Sequence, residues 1–142
     1  MNDAYWISVA KDQAKRSKCL RRDVGSVIVH KTEEAYVLGI NGSDLCESAG
    51  CLRSRSLSGR DLQKCRGVHS EIRAILKLLR SNVNPEDFTL YVTHFPCSHC
   101  VPVIVECGIK EVVYADSYGD QELSLRILKE AGVKTRKYRE EK

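Results

Sequence analysis

Phe88-Thr89-Leu90-Tyr91-Val92-Thr93 runs through His94-Phe95-Pro96 into Cys97-Ser98-His99-Cys100-Val101-Pro102-Val103-Ile104-Val105-Glu106-Cys107-Gly108, and the order of these two patterns decides the fold. The first six residues are β-branched, aromatic or leucine, which predicts a strand. Residues 98–107 predict a helix, and Gly108 is a natural terminator for it. The alternation continues downstream. Val112-Val113-Tyr114-Ala115 reads as a strand, 120–131 as a helix closed by Gly132, and 133–138 as a last strand whose charges suit a sheet edge. Upstream, Ile72, Ile75, Leu76 and Leu79 fall at helical spacing within 69–80. Strands separated by helices imply parallel pairing.

The N-terminal half has a different pattern. Residues 3–18 predict a helix with Asp3 as its cap. Val24-Gly25-Ser26-Val27-Ile28-Val29 and Ala35-Tyr36-Val37-Leu38-Gly39-Ile40 predict two strands with a turn near 31–34, hence an antiparallel hairpin. Residues 41–68 read as a long loop, rich in Gly, Ser and Cys, and a loop of that length is functional or otherwise stabilised. The fold class is therefore α/β, a three-layer α/β/α arrangement around a mixed five-stranded sheet. Residues 1–142 form one domain, with no linker or internal repeat.

Composition narrows the function classes. Hydrophobic residues make up 42% and charged residues 30% of 142, enough to build a core without disulfides. No apolar run approaches the ~20 residues of a membrane helix, and the N-terminus does not read as a signal peptide, so the expectation is a cytoplasmic protein without a membrane partner. The net charge of +4 is mild. With one Trp, two Phe and no basic stripe, nucleic acid is not the expected partner. Seven cysteines form an odd set that disfavours a disulfide framework and favours metal ligation.

The chemistry concentrates in His69-Ser70-Glu71 and Pro96-Cys97-Ser98-His99-Cys100. Cysteines three apart at a helix start can aim both thiolates at one ion, and a helix N-terminus favours the thiolate form. His69, at the start of another helix, supplies a third ligand. Three protein ligands leave a zinc position open to water, as in catalytic sites. Glu71, two residues beyond the histidine, stands where it can carry protons without ligating the metal. The alternative is a closed structural site with His99 or Cys65 as fourth ligand. His30 and His94 read as strand-end or surface histidines and Cys107 as a core residue.

Taken together, H-x-E followed by P-C-x-x-C is the signature of zinc nucleobase deaminases. The chain resembles the deoxycytidylate deaminases of the cytidine deaminase superfamily over nearly its whole length. The likeness extends through Cys19–Val29, Gly39-Ile40-Asn41-Gly42-Ser43, Leu90–Thr93, Cys107–Tyr114 and a cysteine-bearing insertion from Cys46 to Cys65. It implies the same α/β/α fold and zinc-dependent hydrolysis of dCMP to dUMP and ammonia, a zinc-activated water attacking C4 with Glu71 as proton shuttle. It also implies a sugar contact from Asn41 and association into a homo-oligomer, a hexamer in many members. Phosphate candidates are Arg21 or Arg22, Ser43 and Tyr118. Cys19, Cys46, Cys51 and Cys65 would supply a second, structural zinc; the alternative is four free thiols. The chain departs from the usual His-Ala-Glu-x-Asn-Ala at Ser70 and at Arg73, the latter facing the substrate, an interface or solvent. Asp44-Leu45 departs where the family has Pro and Gly, so activation by dCTP and inhibition by dTTP are not carried over. Rival readings are a polynucleotide deaminase acting on tRNA or single-stranded DNA, and a non-catalytic zinc-stabilised binding module.

Overall fold

The computed structural model describes residues 2–57, 60–117 and 121–140. Five strands, β1 (Gly25–His30), β2 (Tyr36–Ile40), β3 (Phe88–His94), β4 (Glu111–Asp116) and β5 (Lys134–Lys137), form one sheet in the order β2-β1-β3-β4-β5. β1 is antiparallel to β2 and to β3, whereas β3, β4 and β5 run parallel. This is the mixed sheet the two halves of the sequence imply.

Strand alternation divides the core in two. Val27 and Val29 of β1, Tyr91 of β3 and Val113 of β4 face Ile7 and Ala10 of α1 (Asp3–Ala14). Ile28, Leu90, Val92 and Val112 face the other way, onto α3 (Ser70–Arg80), α4 (Val101–Cys107) and α5 (Glu122–Glu130), through Ala74, Ile75, Leu78, Val101, Ile104 and Leu128. None of the helices among the described residues is long and apolar enough to cross a membrane. α1 is capped by Asn2, whose Oδ1 accepts from Tyr5 N–H, and not by Asp3; it ends at Ala14, short of residue 18, and α4 starts at Val101 after a turn that holds the Cys-x-x-Cys pair.

The segment 41–68 is less irregular than its composition suggests. It contains α2 (Asp44–Ala49), capped by the Ser43 hydroxyl, which accepts from Cys46 N–H, and a single 3₁₀ turn at Leu62–Lys64. A two-way bridge ties Gly42 to Val68 (3.0 and 3.2 Å). Two glycines let the chain close up here. A Cβ on Gly39 would lie 2.1 Å from the Ser70 carbonyl, so its absence allows the start of α3 to sit directly on β2. Gly42 has φ +95°, and a Cβ would meet Cys19 N at 2.3 Å, so both conformation and space favour glycine there.

Candidate metal centre and active site

The site is built at element ends. His69 precedes the first residue of α3 with extended backbone (φ −65°, ψ 149°). The Cys97 carbonyl accepts from Cys100 N–H (3.0 Å) and Val101 N–H (3.1 Å). That tight turn brings the two sulfurs to 3.6 Å. His69 Nδ1 lies 3.5 Å from Cys97 Sγ and 3.2 Å from Cys100 Sγ. In tetrahedral zinc coordination the bond lengths put two sulfurs about 3.8 Å apart and sulfur and nitrogen about 3.5 Å apart. The observed triangle has those edges to within a few tenths of an ångström. Two thiols and an imidazole are also the donor set zinc prefers. Among the described residues this is the one cluster of its kind, and neither His99 nor Cys65 joins it. Three protein donors are the count of a catalytic rather than a closed structural site.

The cluster already favours a thiolate. The Cys97 thiol is pushed down to about 3 by its hydrogen bond with Cys100, against the cost of burial and with help from His69. Cys100 moves up through the same hydrogen bond, through burial and through the nearby Glu71 charge. The His69 ring is raised by its hydrogen bond with Cys97; burial and the Arg53 charge oppose the rise.

Glu71 sits beside the cluster and is 4% exposed. Its Oε1 accepts from the fully buried Ser70 hydroxyl at 2.7 Å. The serine that departs from the usual family motif is therefore a hydrogen-bond donor to this carboxylate. His69, Glu71 and Cys97 open on a cavity of about 440 Å³, within the size range of small-molecule sites. A more open depression of about 590 Å³ between α5 and β5 carries Arg126, Lys129 and Lys134 and none of the metal-cluster residues.

The sequence-predicted recognition residues divide. Asn41 lines the cavity. Its Oδ1 accepts from Val24 N–H (3.1 Å) and from the Ser17 hydroxyl, and Nδ2 donates to the Arg22 carbonyl (2.8 Å). The amide thus pins the Arg22–Val24 stretch, while Nδ2 carries a second hydrogen. Arg21 and Arg22 also line the cavity. Ser43 does not; its hydroxyl is engaged with Cys46 as the α2 cap. Arg73 is outside the cavity as well. Its guanidinium donates to the Ile40 carbonyl (2.9 Å) and the Gly42 carbonyl (2.7 Å), so it clamps the end of β2 instead of facing a ligand. Tyr118 lies outside the described residues.

The four further cysteines share the cavity wall but do not gather into a second metal cluster among the described residues. Local chain partners hold them apart. Cys46 Sγ accepts from the Ser43 hydroxyl, Cys51 Sγ from Arg53 N–H, and Cys65 Sγ reaches the Gly67 carbonyl. All seven cysteines are free thiols. Arg53 and Arg66, which sequence reasoning passed over, line the cavity. No spacing in the sequence distinguishes them from Arg55 and Arg60, which are exposed.

Residues 1–116 match the family described as the cytidine and deoxycytidylate deaminase zinc-binding region. The chain is 37% identical to the deoxycytidylate deaminase of Saccharomyces cerevisiae over 140 residues and to that of Schizosaccharomyces pombe over 142 residues. Each match covers 96% of this chain and 44% of the relative, so the chain spans less than half the length of these yeast proteins. Among solved structures, the dCMP deaminase from the cyanophage S-TIM5, in complex with dCMP and dUMP, superposes with a TM-score of 0.73 at 23% identity, over 95% of both chains.

Proposed function

The chain belongs to the cytidine and deoxycytidylate deaminase zinc-binding family, and from that premise we propose that residues 1–142 act as a single zinc-dependent domain that hydrolyses dCMP to dUMP and ammonia. The observation that carries the reading is the His69–Cys97–Cys100 triangle, open to a nucleotide-sized cavity with the Glu71 carboxylate beside it. His69, Cys97 and Cys100 would hold the metal. Zinc bound there would supply Lewis acidity, enough to ionise water near neutral pH.

Glu71 does the proton work. Its carboxylate takes a proton from the attacking water and returns it to N3 of the base, then conveys a proton to the departing 4-amino group. Burial keeps bulk water from competing for those protons, and the Ser70 hydroxyl fixes one carboxylate oxygen. Asn41, through its second Nδ2 hydrogen, donates to the sugar, and Arg22 stands at the same wall. The S-TIM5 protein's complex with dCMP and dUMP supports this substrate class. Seven free thiols, two of them metal ligands, suit the reducing cytoplasm.

The test is ammonia release from dCMP by the purified protein and by Glu71→Gln. The variant should retain zinc and lose about 10²- to 10⁴-fold in kcat, the range of general acid–base catalysis. Undiminished turnover in Glu71→Gln would defeat the mechanism, and no turnover by the wild type would defeat the reading.

A further inference from the structure

Apart from the metal-cluster residues and Glu71, the charged side chains lining the cavity are cationic. Arg21, Arg22, Arg53 and Arg66 line it, and Glu71 is the one carboxylate among the described lining residues. Arg53 and Arg66 come from the segment between α2 and α3. Both are half-buried, whereas Arg55, Arg60 and Lys64 of the same segment are exposed. The chain has therefore turned two of its cations inward.

These two side chains are also held in place. Arg53 Nε donates to the Arg60 carbonyl at 2.9 Å, and Arg66 Nη2 donates to the Gly50 carbonyl at 2.7 Å. Arg21 Nη1 donates to the Arg53 carbonyl, which ties the residues 17–24 stretch to the same wall. For Arg53 the anchor uses Nε, so both terminal nitrogens of the fork lie beyond it. The ion pairs formed among the described residues involve neither Arg53 nor Arg66. Guanidinium groups gathered on a cavity wall with no ion-paired carboxylate present a ready site for an anion. The fork geometry matches a phosphate, which it can bind through two parallel N–H···O bonds.

We propose that Arg53 and Arg66 bind the phosphate of a nucleoside monophosphate and so make the enzyme prefer the nucleotide over the free nucleoside. This assignment rests on the deaminase reading above and adds to it residues that the sequence comparison with the family did not suggest. At Arg53 arginine is required rather than positive charge alone, because anchoring through Nε leaves both terminal nitrogens of the planar group for the ligand.

Steady-state kinetics on dCMP and deoxycytidine, for wild type, Arg53→Gln, Arg66→Gln and the double variant, test it. Loss of a charge-assisted bond predicts a fall of about 10- to 100-fold in kcat/KM for dCMP per variant, carried by KM. Deoxycytidine turnover should change far less than dCMP turnover, and the exposed Arg55→Gln should match wild type on both substrates. A thermal shift on adding dUMP, larger than that from deoxyuridine and lost in the double variant, gives a readout without turnover. If the glutamine variants do not fold, Arg53→Lys and Arg66→Lys replace them and should still raise KM for dCMP. A wild-type KM and a wild-type dUMP shift in the variants would overturn the proposal. If the wild type releases no ammonia from dCMP, the deaminase reading fails instead, and the dUMP shift alone decides whether Arg53 and Arg66 hold phosphate.

Discussion

The two walls of the cavity at the metal cluster are held by different physics. His69, Glu71, Cys97 and Cys100 stand at the ends of α3 and of the turn entering α4, and both helices bury Ala74, Ile75, Leu78, Val101 and Ile104 against the sheet. The facing wall, drawn from residues 17–24, 41–57 and 60–67, has among these described residues one six-residue helix and one 3₁₀ turn, and side-chain to main-chain hydrogen bonds from Asn41, Arg53 and Arg66 hold it. Reacting groups need placement within a fraction of an ångström, which packed elements supply. A wall that reads a ligand's charge tolerates more movement, and hydrogen bonds to carbonyls suffice.

The largest expected effect tests whether metal belongs to the packed wall alone. Cys97→Ser should remove zinc and abolish turnover, since one of three ligands is lost. Metal analysis of the wild type should return one zinc per chain, matching the one cluster among the described residues. Two zinc ions per chain, with one retained in Cys97→Ser, would show that Cys19, Cys46, Cys51 and Cys65 gather on the facing wall after all.

The same contrast explains what the sequence reveals. Strand and helix periodicity in 69–137 predicts the parallel half of the sheet, and the spacing of His69, Glu71, Cys97 and Cys100 predicts the cluster, because helix starts convert spacing directly into geometry. The facing wall has no such rule. Arg53 and Arg66 turn inward because of hydrogen bonds to Arg60 and Gly50, partners that no periodicity identifies. Ser43 and Arg73, read as ligand contacts, instead satisfy main-chain groups at the start of α2 and the end of β2. Polar side chains near an irregular segment have carbonyls and N–H groups to satisfy first, and the sequence does not show which they reach.

Two residues of α3 measure the walls against each other. Leu78 is 1% exposed against the sheet, and Leu78→Ala should cost about 2–5 kcal/mol in urea unfolding. Arg73 bonds the Ile40 and Gly42 carbonyls, and Arg73→Ala should cost about 2 kcal/mol. Their kinetics should diverge more than their stabilities. Arg73→Ala loosens the Asn41–Gly42 corner and should raise KM for dCMP with kcat little changed. Leu78→Ala should leave both near wild type wherever the protein stays folded. A wild-type KM in Arg73→Ala would mean that the facing wall keeps its shape without this clamp.

The smallest effect lies away from both walls, where an ion-pair network fastens α1 to the sheet. Asp3 Oδ2 pairs with Arg136 Nη1 of β5 at 2.5 Å, Tyr91 of β3 donates its hydroxyl to Asp3 Oδ1 at 2.7 Å, and Arg136 Nη2 reaches Glu111 of β4 at 3.3 Å. None of the four lines the cavity. The Arg136 hydrogen bond holds the Asp3 carboxyl below its ordinary value, against burial and with help from Tyr91. A carboxylate whose pKa is lower folded than unfolded contributes stability above its unfolded pKa, near 4, and that contribution is lost as pH falls through the folded value. Wild type should therefore lose more stability than Arg136→Met between pH 5 and the acid limb, by about 1 kcal/mol or less because the pair is partly exposed. Turnover of dCMP at neutral pH should be the same in both. A change in KM or kcat in Arg136→Met would mean that the sheet passes strain from this edge to the metal cluster, and that the packed wall is less insulated than its buried core implies.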